Sequence, residues 1–249
     1  MLALADSSIS LTISVISALI AIATALWAGV MESRRQKREH EFLREQKDLD
    51  RRMEAERVLR RYRAPLVFAA DQLLSRIENI SSNGFLAKYG ESRRSYVVES
   101  TTYAVAELLG WMESLRRSQQ ELDLGEEEAT RQLNQRVAAI GRTLSTDEIA
   151  GPQGSPAGFM IWRQEQRAIG ELMIFHDDAG EHTLGYASFV NLLRSDPKFA
   201  HWFERLQADA STSINEPGSV LSRLGRLAAA LRDLIDHLDP NRIRALRRP

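Results

Sequence analysis

The chain of 249 residues contains no cysteine. Disulfide bridges, zinc sites with thiolate ligands, iron–sulfur clusters and cysteine nucleophiles are therefore excluded. Lysine is also scarce, because apart from Lys37, Lys47, Lys88 and Lys198 the strongly basic side chains are all arginine. This preference for arginine is typical of a GC-rich bacterial genome.

The sequence lacks an excess of charge of either sign. Lysine and arginine total 33 residues against 34 aspartates and glutamates, which leaves a net charge of −1. A protein that binds nucleic acid through bulk electrostatics needs a basic surplus, so we expect no nucleic-acid partner.

Signatures of catalysis and of nucleotide binding are missing too. The sequence contains no GxxxxGK[ST] phosphate loop, no GxGxxG, no HExxH and no G-x-S-x-G nucleophile elbow. We therefore expect neither an enzymatic activity nor a cofactor.

Charge is absent from one long stretch, Ser7 to Met31. About 20 apolar residues in a helix span the core of a bilayer, which is about 30 Å thick. The stretch predicts a single transmembrane helix that acts as a signal anchor. A cleaved signal peptide and a buried core helix are the alternatives, but the first normally has its basic residues before the apolar run.

The basic residues of this region follow the apolar run instead of preceding it. By the positive-inside rule, residues 1–6 are expected outside the cell and the rest of the chain in the cytoplasm, attached to the inner membrane. The cluster is expected to touch anionic lipid of the bilayer; it consists of Arg34, Arg35, Lys37 and Arg38.

Residues 32–63 are densely charged and contain no glycine or proline. Acid-first pairs four residues apart, Asp48 with Arg52 and Glu56 with Arg60, favour a continuous helical stalk. The apolar positions do not follow a clean heptad, so a coiled-coil dimer and a single charged helix both stay open.

The sequence of residues 64–240 predicts an all-α domain, a bundle of six or seven helices. Pro65 is expected in the first turn of the first helix, and a stripe at 3.6-residue spacing marks a helix within 93–118. A loop rich in glycine and proline at 151–158 precedes a helix expected over 159–175. We expect no β-hairpin, and residues 241–249 form a basic tail.

The helix over 159–175 carries the candidate ligand-binding residues Arg163, Gln166 and Arg167. Gln166 interrupts an apolar stripe, so it should be partly buried with hydrogen-bond partners. Gly170 would let another backbone come close. Two interpretations stay open. The arginines bind an anionic group in a pocket, or they lie in solvent while Gln166 bridges two helices.

A second candidate is the segment from His176 to His182, because imidazoles and carboxylates bind divalent metals. One glycine-containing loop is, however, typical of a solvated turn, so we predict no metal site. The weak candidate ligands are His176, Asp178 and His182.

Several aromatic residues of the C-terminal half predict either a ligand cavity or part of the core. Trp202 and Phe203 are adjacent on a helix and cannot both point inward, which makes Trp202 a candidate hot spot for a partner. The full set is Trp162, Tyr186, Phe189, Phe199, Trp202 and Phe203.

Three functions follow as hypotheses. The favoured one is a single-pass membrane protein whose cytoplasmic helical domain is a protein-interaction adaptor or complex subunit, with a protein partner or a second copy. The second is a ligand-responsive sensor that binds a small anionic molecule through Arg163 and Arg167. The third is a metal-dependent enzyme that uses His176, Asp177, Asp178 and His182.

Overall fold

The computed structural model describes residues 2–122, 128–178 and 180–243, although most side chains of 2–33 fall outside the description. The chain divides into two compact units, Met1–Met53 and Glu54–Pro249. The described residues are mostly helical, which confirms the all-α prediction. The basic tail from 244 onward lies outside the described residues.

Helix α1, Leu2–Ser81, supplies the whole of the described part of the first unit. Its backbone confirms the helix predicted over Ser7–Met31 and over 32–63. Among the described residues, no helix has both the length and the apolar character needed to cross a membrane, so they do not support the predicted span.

The side chains that the structure describes in the first unit are exposed to solvent. Of the four basic residues predicted at the membrane surface, Arg34, Arg35 and Lys37 are exposed, and the side chain of Arg38 lies outside the described part. Large apolar side chains are exposed as well: Leu26, Trp27, Met31, Phe42, Leu43, Leu49 and Met53.

Helix α1 continues without a break through Pro65, so the prediction that a new helix begins there is wrong. Proline removes one backbone hydrogen bond from a helix interior. Tyr62, Leu66 and Val67 are buried on both sides of it, and such packing stabilises a helix more than propensity does.

Among the described residues, the second unit adds eight α-helices, a 3-10 helix at Pro152–Gly154 and one hairpin. More helices occur than predicted, because the short α2 was not expected and a break at Trp202–Phe203 separates α7 from α8. The elements are α2 Phe85–Tyr89, α3 Arg94–Leu122, α4 Glu128–Ser145, α5 Arg163–Met173, β1 Ile174–Asp177, β2 Gly180–Thr183, α6 Tyr186–Ser195, α7 Pro197–His201, α8 Glu204–Asn215 and α9 Gly218–Leu238.

Helix α3 is central, because it packs against α5, α6, α8 and the hairpin, while α4 packs against α9. Two glycines let α3 and α5 approach closely. A Cβ at Gly170 would lie 2.6 Å from the carbonyl oxygen of Leu109, and one at Gly110 would lie 2.9 Å from Met173 Cβ. The prediction that Gly170 admits another backbone is confirmed.

Helix α5 begins at Arg163 and ends at Met173, so the helix predicted over 159–175 is too long at both ends. The segment before it is extended or turned, and Phe159 has a φ of 60°, which a helix does not allow. The residues after Met173 form strand β1 instead.

The predicted absence of a hairpin is also wrong. Strands β1 and β2 pair antiparallel, with Ile174 opposite Thr183 and His176 opposite Glu181. Gly180 has a φ of 118°, a conformation that glycine adopts at low cost where the second strand begins.

Two polar side chains connect the segment before α5 to α4, α8 and α9 through hydrogen bonds. Arg223 of α9 is fully buried and donates to the carbonyl oxygens of Thr143 at 2.6 Å, Ala157 at 3.2 Å and Gly158 at 3.0 Å. Asp209 of α8 accepts the Phe159 N–H at 2.7 Å.

Of the six aromatic residues predicted to form a cavity or part of the core, three are buried, two are exposed and Tyr186 is half-buried. Phe189, Phe199 and Phe203 are buried and in mutual ring contact, which confirms a core role for them. Trp162 and Trp202 are exposed instead. Phe203 is 0% exposed and its neighbour Trp202 43%, as their adjacency on the chain requires.

Candidate functional site

A cavity of about 320 Å³ lies between α3, α4 and α5. Its volume is at the small end of the range for ligand pockets, about 300–1,000 Å³. All three residues predicted as ligand-binding, Arg163, Gln166 and Arg167, line it. The remaining lining residues are Leu109, Met112, Glu113, Leu115, Arg116, Gln119, Asn134, Val137, Ala138, Gly141 and Arg142.

The start of α5 positions these predicted residues. The Glu165 carboxylate accepts the Trp162 N–H at 2.7 Å, which satisfies one backbone donor at the start of the helix. Arg163 and Arg167 are four residues apart and therefore share one face. Gln166 lies between them in the sequence but is buried, whereas both arginines are exposed.

Gln166 is held by two hydrogen bonds from its amide nitrogen. Nε2 donates to the carbonyl oxygen of Gly141 at 2.9 Å and to that of Ile161 at 2.8 Å. The expectation of a buried, hydrogen-bonded glutamine that bridges helices is confirmed. Both amide hydrogens are used, so Oε1 keeps a fixed orientation as an acceptor.

Arginines dominate the charge of the cavity lining, with four guanidinium groups against the single carboxylate of Glu113. The Glu113 carboxylate is bound by Arg116, with Nε to Oε2 at 2.7 Å and Nη2 to Oε1 at 2.5 Å. Arg117, outside the lining, also donates to Glu113 Oε1, at 2.9 Å. Both carboxylate oxygens are therefore occupied.

The pKa of Glu113 reflects this arrangement. Burial by itself would raise the pKa of the carboxyl, but the hydrogen bonds and positive charges of Arg116 and Arg117 outweigh it and hold the pKa below its ordinary value. Glu113 is therefore ionised, and it neutralises the charge of Arg116 in the cavity.

The other three guanidinium groups of the lining have no such partner. Within the described residues, the side chains of Arg142, Arg163 and Arg167 make no ion pair and no hydrogen bond. Their charges converge on one opening from two helices, so the mouth of the cavity attracts anions.

Neutral polar groups and an apolar wall complete the site. Gln119 and Asn134 contribute amides, and within the described residues Gln119 Nε2 is buried without a hydrogen-bond acceptor. The apolar wall comes from α3 and α4: Leu109, Met112, Leu115, Val137 and Ala138. A ligand with both an anionic and an apolar part would match this lining.

The weak metal candidates lie elsewhere, on the hairpin. His176 Nε2 lies 3.1 Å from Glu181 Oε2, and His182 Nε2 lies 3.3 Å from Asp177 Oδ1. Asp178 is exposed. Throughout 2–122, 128–178 and 180–243, no group of three or more histidines and carboxylates could hold a metal ion.

Sequence reasoning missed the part of the site that α3 and α4 supply. Arg116 and Arg142 are ordinary charged residues within predicted helices, and no pattern indicates that they face α5. A weak signal existed at Gly141, since a glycine inside a helix often marks a close approach; here the Gly141 carbonyl receives Gln166.

Comparison of the chain with protein-family models, with curated proteins and with solved structures gave no match.

Proposed function

We propose that this chain is a membrane-tethered helical receptor domain that binds a small anionic molecule in the cavity between α3, α4 and α5. The observation that carries the proposal is the convergence of Arg142, Arg163 and Arg167, none paired within the described residues, at a cavity of about 320 Å³. Guanidinium groups bind carboxylate and phosphate oxygens in bidentate fashion.

Charge at the cavity mouth is the first point to test. The full chain is titrated with a panel of small carboxylates and phosphates, and its melting temperature is followed, because a ligand that binds only the folded state stabilises it. The Arg163→Gln/Arg167→Gln variant should lose the ligand-induced shift while keeping its own melting temperature, since both side chains are exposed.

Arg226→Gln is the matched control. Arg226 is an exposed arginine of α9 outside the cavity lining. It should respond to ligand as the unmodified chain does. Equal ligand shifts in all three proteins, or no shift with any anion, would refute the proposed pocket.

The membrane tether rests on the sequence. The 25 residues of Ser7–Met31 carry no charge, and four basic residues follow within seven positions. In this proposal the run is a single-pass anchor of the inner membrane, with residues 1–6 outside and the receptor domain in the cytoplasm. Resistance of the membrane-bound chain to alkaline extraction tests the anchor, and release by that treatment would contradict it.

The absence of cysteine makes the orientation easy to test. Ala3→Cys should react with a membrane-impermeant maleimide in intact cells. Ser222→Cys, at an exposed position of α9, should react only after lysis. The reverse pattern would contradict the proposed orientation.

A second candidate function is that of an adaptor or complex subunit that binds a protein partner or another copy of itself. The exposed Phe42, Leu43, Leu49 and Met53 of the first unit favour it, because apolar side chains clustered along a charged helix often mark an interaction face. Light scattering of the full chain, beside a Phe42→Ser/Leu49→Ser variant, tests self-association. A monomer in both cases would remove this support.

A further inference from the structure

The cavity offers more than positive charge. Its lining combines exposed arginines, an apolar wall on α3 and α4, and the buried Gln166. Each of these three parts places a separate requirement on the ligand.

Gln166 Oε1 is the acceptor whose orientation is fixed by the fold. The two hydrogens on Nε2 are bound by the carbonyls of Gly141 and Ile161, so the amide cannot turn over without losing both bonds. Among the described residues, no hydrogen bond reaches Oε1. The Glu113 oxygens, by contrast, are already taken by arginines.

The apolar wall argues against a purely polar ligand. An inorganic anion at the arginines would leave Met112, Val137 and Ala138 in contact with water, whereas an organic body would bury them. The cavity volume of about 320 Å³ is at the small end of the range for ligand pockets, which suits a small organic acid.

We propose that the ligand is a small organic acid with an apolar body and an N–H or O–H donor a few bonds from its acidic group, and that Gln166 selects for this donor. This inference rests on the proposed function, because it assumes that the cavity binds anions. The acid group meets Arg163 and Arg167, the donor meets Gln166 Oε1, and the body lies against α3 and α4.

The test compares four probes on the unmodified chain and then repeats the measurement with the Arg163→Gln/Arg167→Gln variant. N-benzoylglycine has the carboxylate, the amide N–H and an apolar ring, and its N-methyl derivative has a methyl group in place of the donor hydrogen. Benzoylglycinamide lacks the carboxylate charge, and inorganic phosphate lacks the apolar body. Dissociation constants for the four probes are measured by calorimetry with the full chain in a nonionic detergent.

N-benzoylglycine should bind about fivefold or more tightly than the N-methyl compound, the amount expected for one hydrogen bond. Phosphate and benzoylglycinamide should bind at least about tenfold more weakly than N-benzoylglycine, because each lacks one of the recognised parts. The Arg163→Gln/Arg167→Gln variant should reduce the affinity for N-benzoylglycine and leave benzoylglycinamide unchanged.

The outcomes distinguish a wrong ligand class from a failure of the proposed function. If N-benzoylglycine, its N-methyl derivative and phosphate bind equally and all depend on the arginines, the ligand class is wrong and the anion pocket stands. If no carboxylate or phosphate binds in an arginine-dependent manner, the proposed function fails and the ligand class fails with it.

Discussion

Replacement of Gly170 by alanine tests whether α3 and α5 are in contact as closely as described. A Cβ there would lie 2.6 Å from the Leu109 carbonyl oxygen and 2.7 Å from Glu113 Cβ, whereas ordinary contacts begin at 3.4 Å. The shortfall is about 0.8 Å (3.4 minus 2.6) against a backbone atom that cannot rotate away. The two helices must therefore separate.

Overpacking of this kind costs about 1–3 kcal/mol, and contact with backbone belongs at the upper end. Alanine regains about 0.5–1 kcal/mol through its better helix propensity. The net loss in the free energy of unfolding is thus about 2 kcal/mol. For a domain of this size that lowers the melting temperature by about 4–8 °C. Thermal unfolding followed by circular dichroism measures it.

Gly225→Ala is the matched control, because Gly225 is also inside a helix but a Cβ there meets nothing within 4 Å. It should stabilise the chain by about 0.4–1 kcal/mol. Gly110→Ala should fall between Gly170→Ala and the unmodified chain, since its Cβ would lie 2.9 Å from Met173 Cβ and Thr183 Cγ2 instead of 2.6 Å from a backbone oxygen. Melting of Gly170→Ala at or above the unmodified temperature would refute the close packing.

Three further predictions concern buried polar groups. Arg223→Met should lower the free energy of unfolding by about 3 kcal/mol or more, because three carbonyls lose a charged donor; a urea midpoint equal to that of the unmodified chain would contradict it. Burial raises the pKa of the Glu107 carboxyl above its ordinary value of 4.5. The resulting contribution to the free energy of unfolding is fully present below pH 4.5 and is lost as the pH rises through the raised pKa. Glu107→Gln should therefore raise the melting temperature near neutral pH, with the gain shrinking toward about pH 4; a gain independent of pH would count against it. Tyr62→Phe should cost about 1–2 kcal/mol, because the hydroxyl contacts Ser114, Ser118 and Glu181, and chemical unfolding with no loss would show these contacts to be unimportant.

Helical periodicity predicted most of the fold correctly because the bundle buries one face of each long helix. The same logic identified Gln166, since a polar residue within an apolar stripe must be buried with a partner. It also identified Gly170. Which helices lie beside α5 is a property of the tertiary structure, so the arginines of α3 and α4 could not be assigned to the site.

The hairpin was missed for a different reason. Each strand has four residues, and the pair is rich in His, Asp and Glu, which favour loops by composition. Its stability comes from cross-strand contacts such as His176 with Glu181 and from packing on α3, and neither leaves a period in the sequence.

The burial of Arg223 could be predicted from the sequence, but its hydrogen-bond acceptors could not. It stands three residues after Val220 and four before Leu227, on the buried stripe of α9. That position predicts burial of the side chain. Two of its three acceptors are carbonyls of the segment around Gly158, whose path depends on the left-handed conformation of Phe159. No local pattern predicts that path.

The position of Arg223 has a consequence for how the cavity can change. It does not line the cavity, yet it joins the end of α4 near Arg142 to the segment that leads into Arg163. The hydrogen bonds of Arg223 therefore help to fix, from α9, the spacing between Arg142 and Arg163. If the cavity binds an anion as proposed, substitutions on α9 should change its affinity although no residue of α9 lines the cavity.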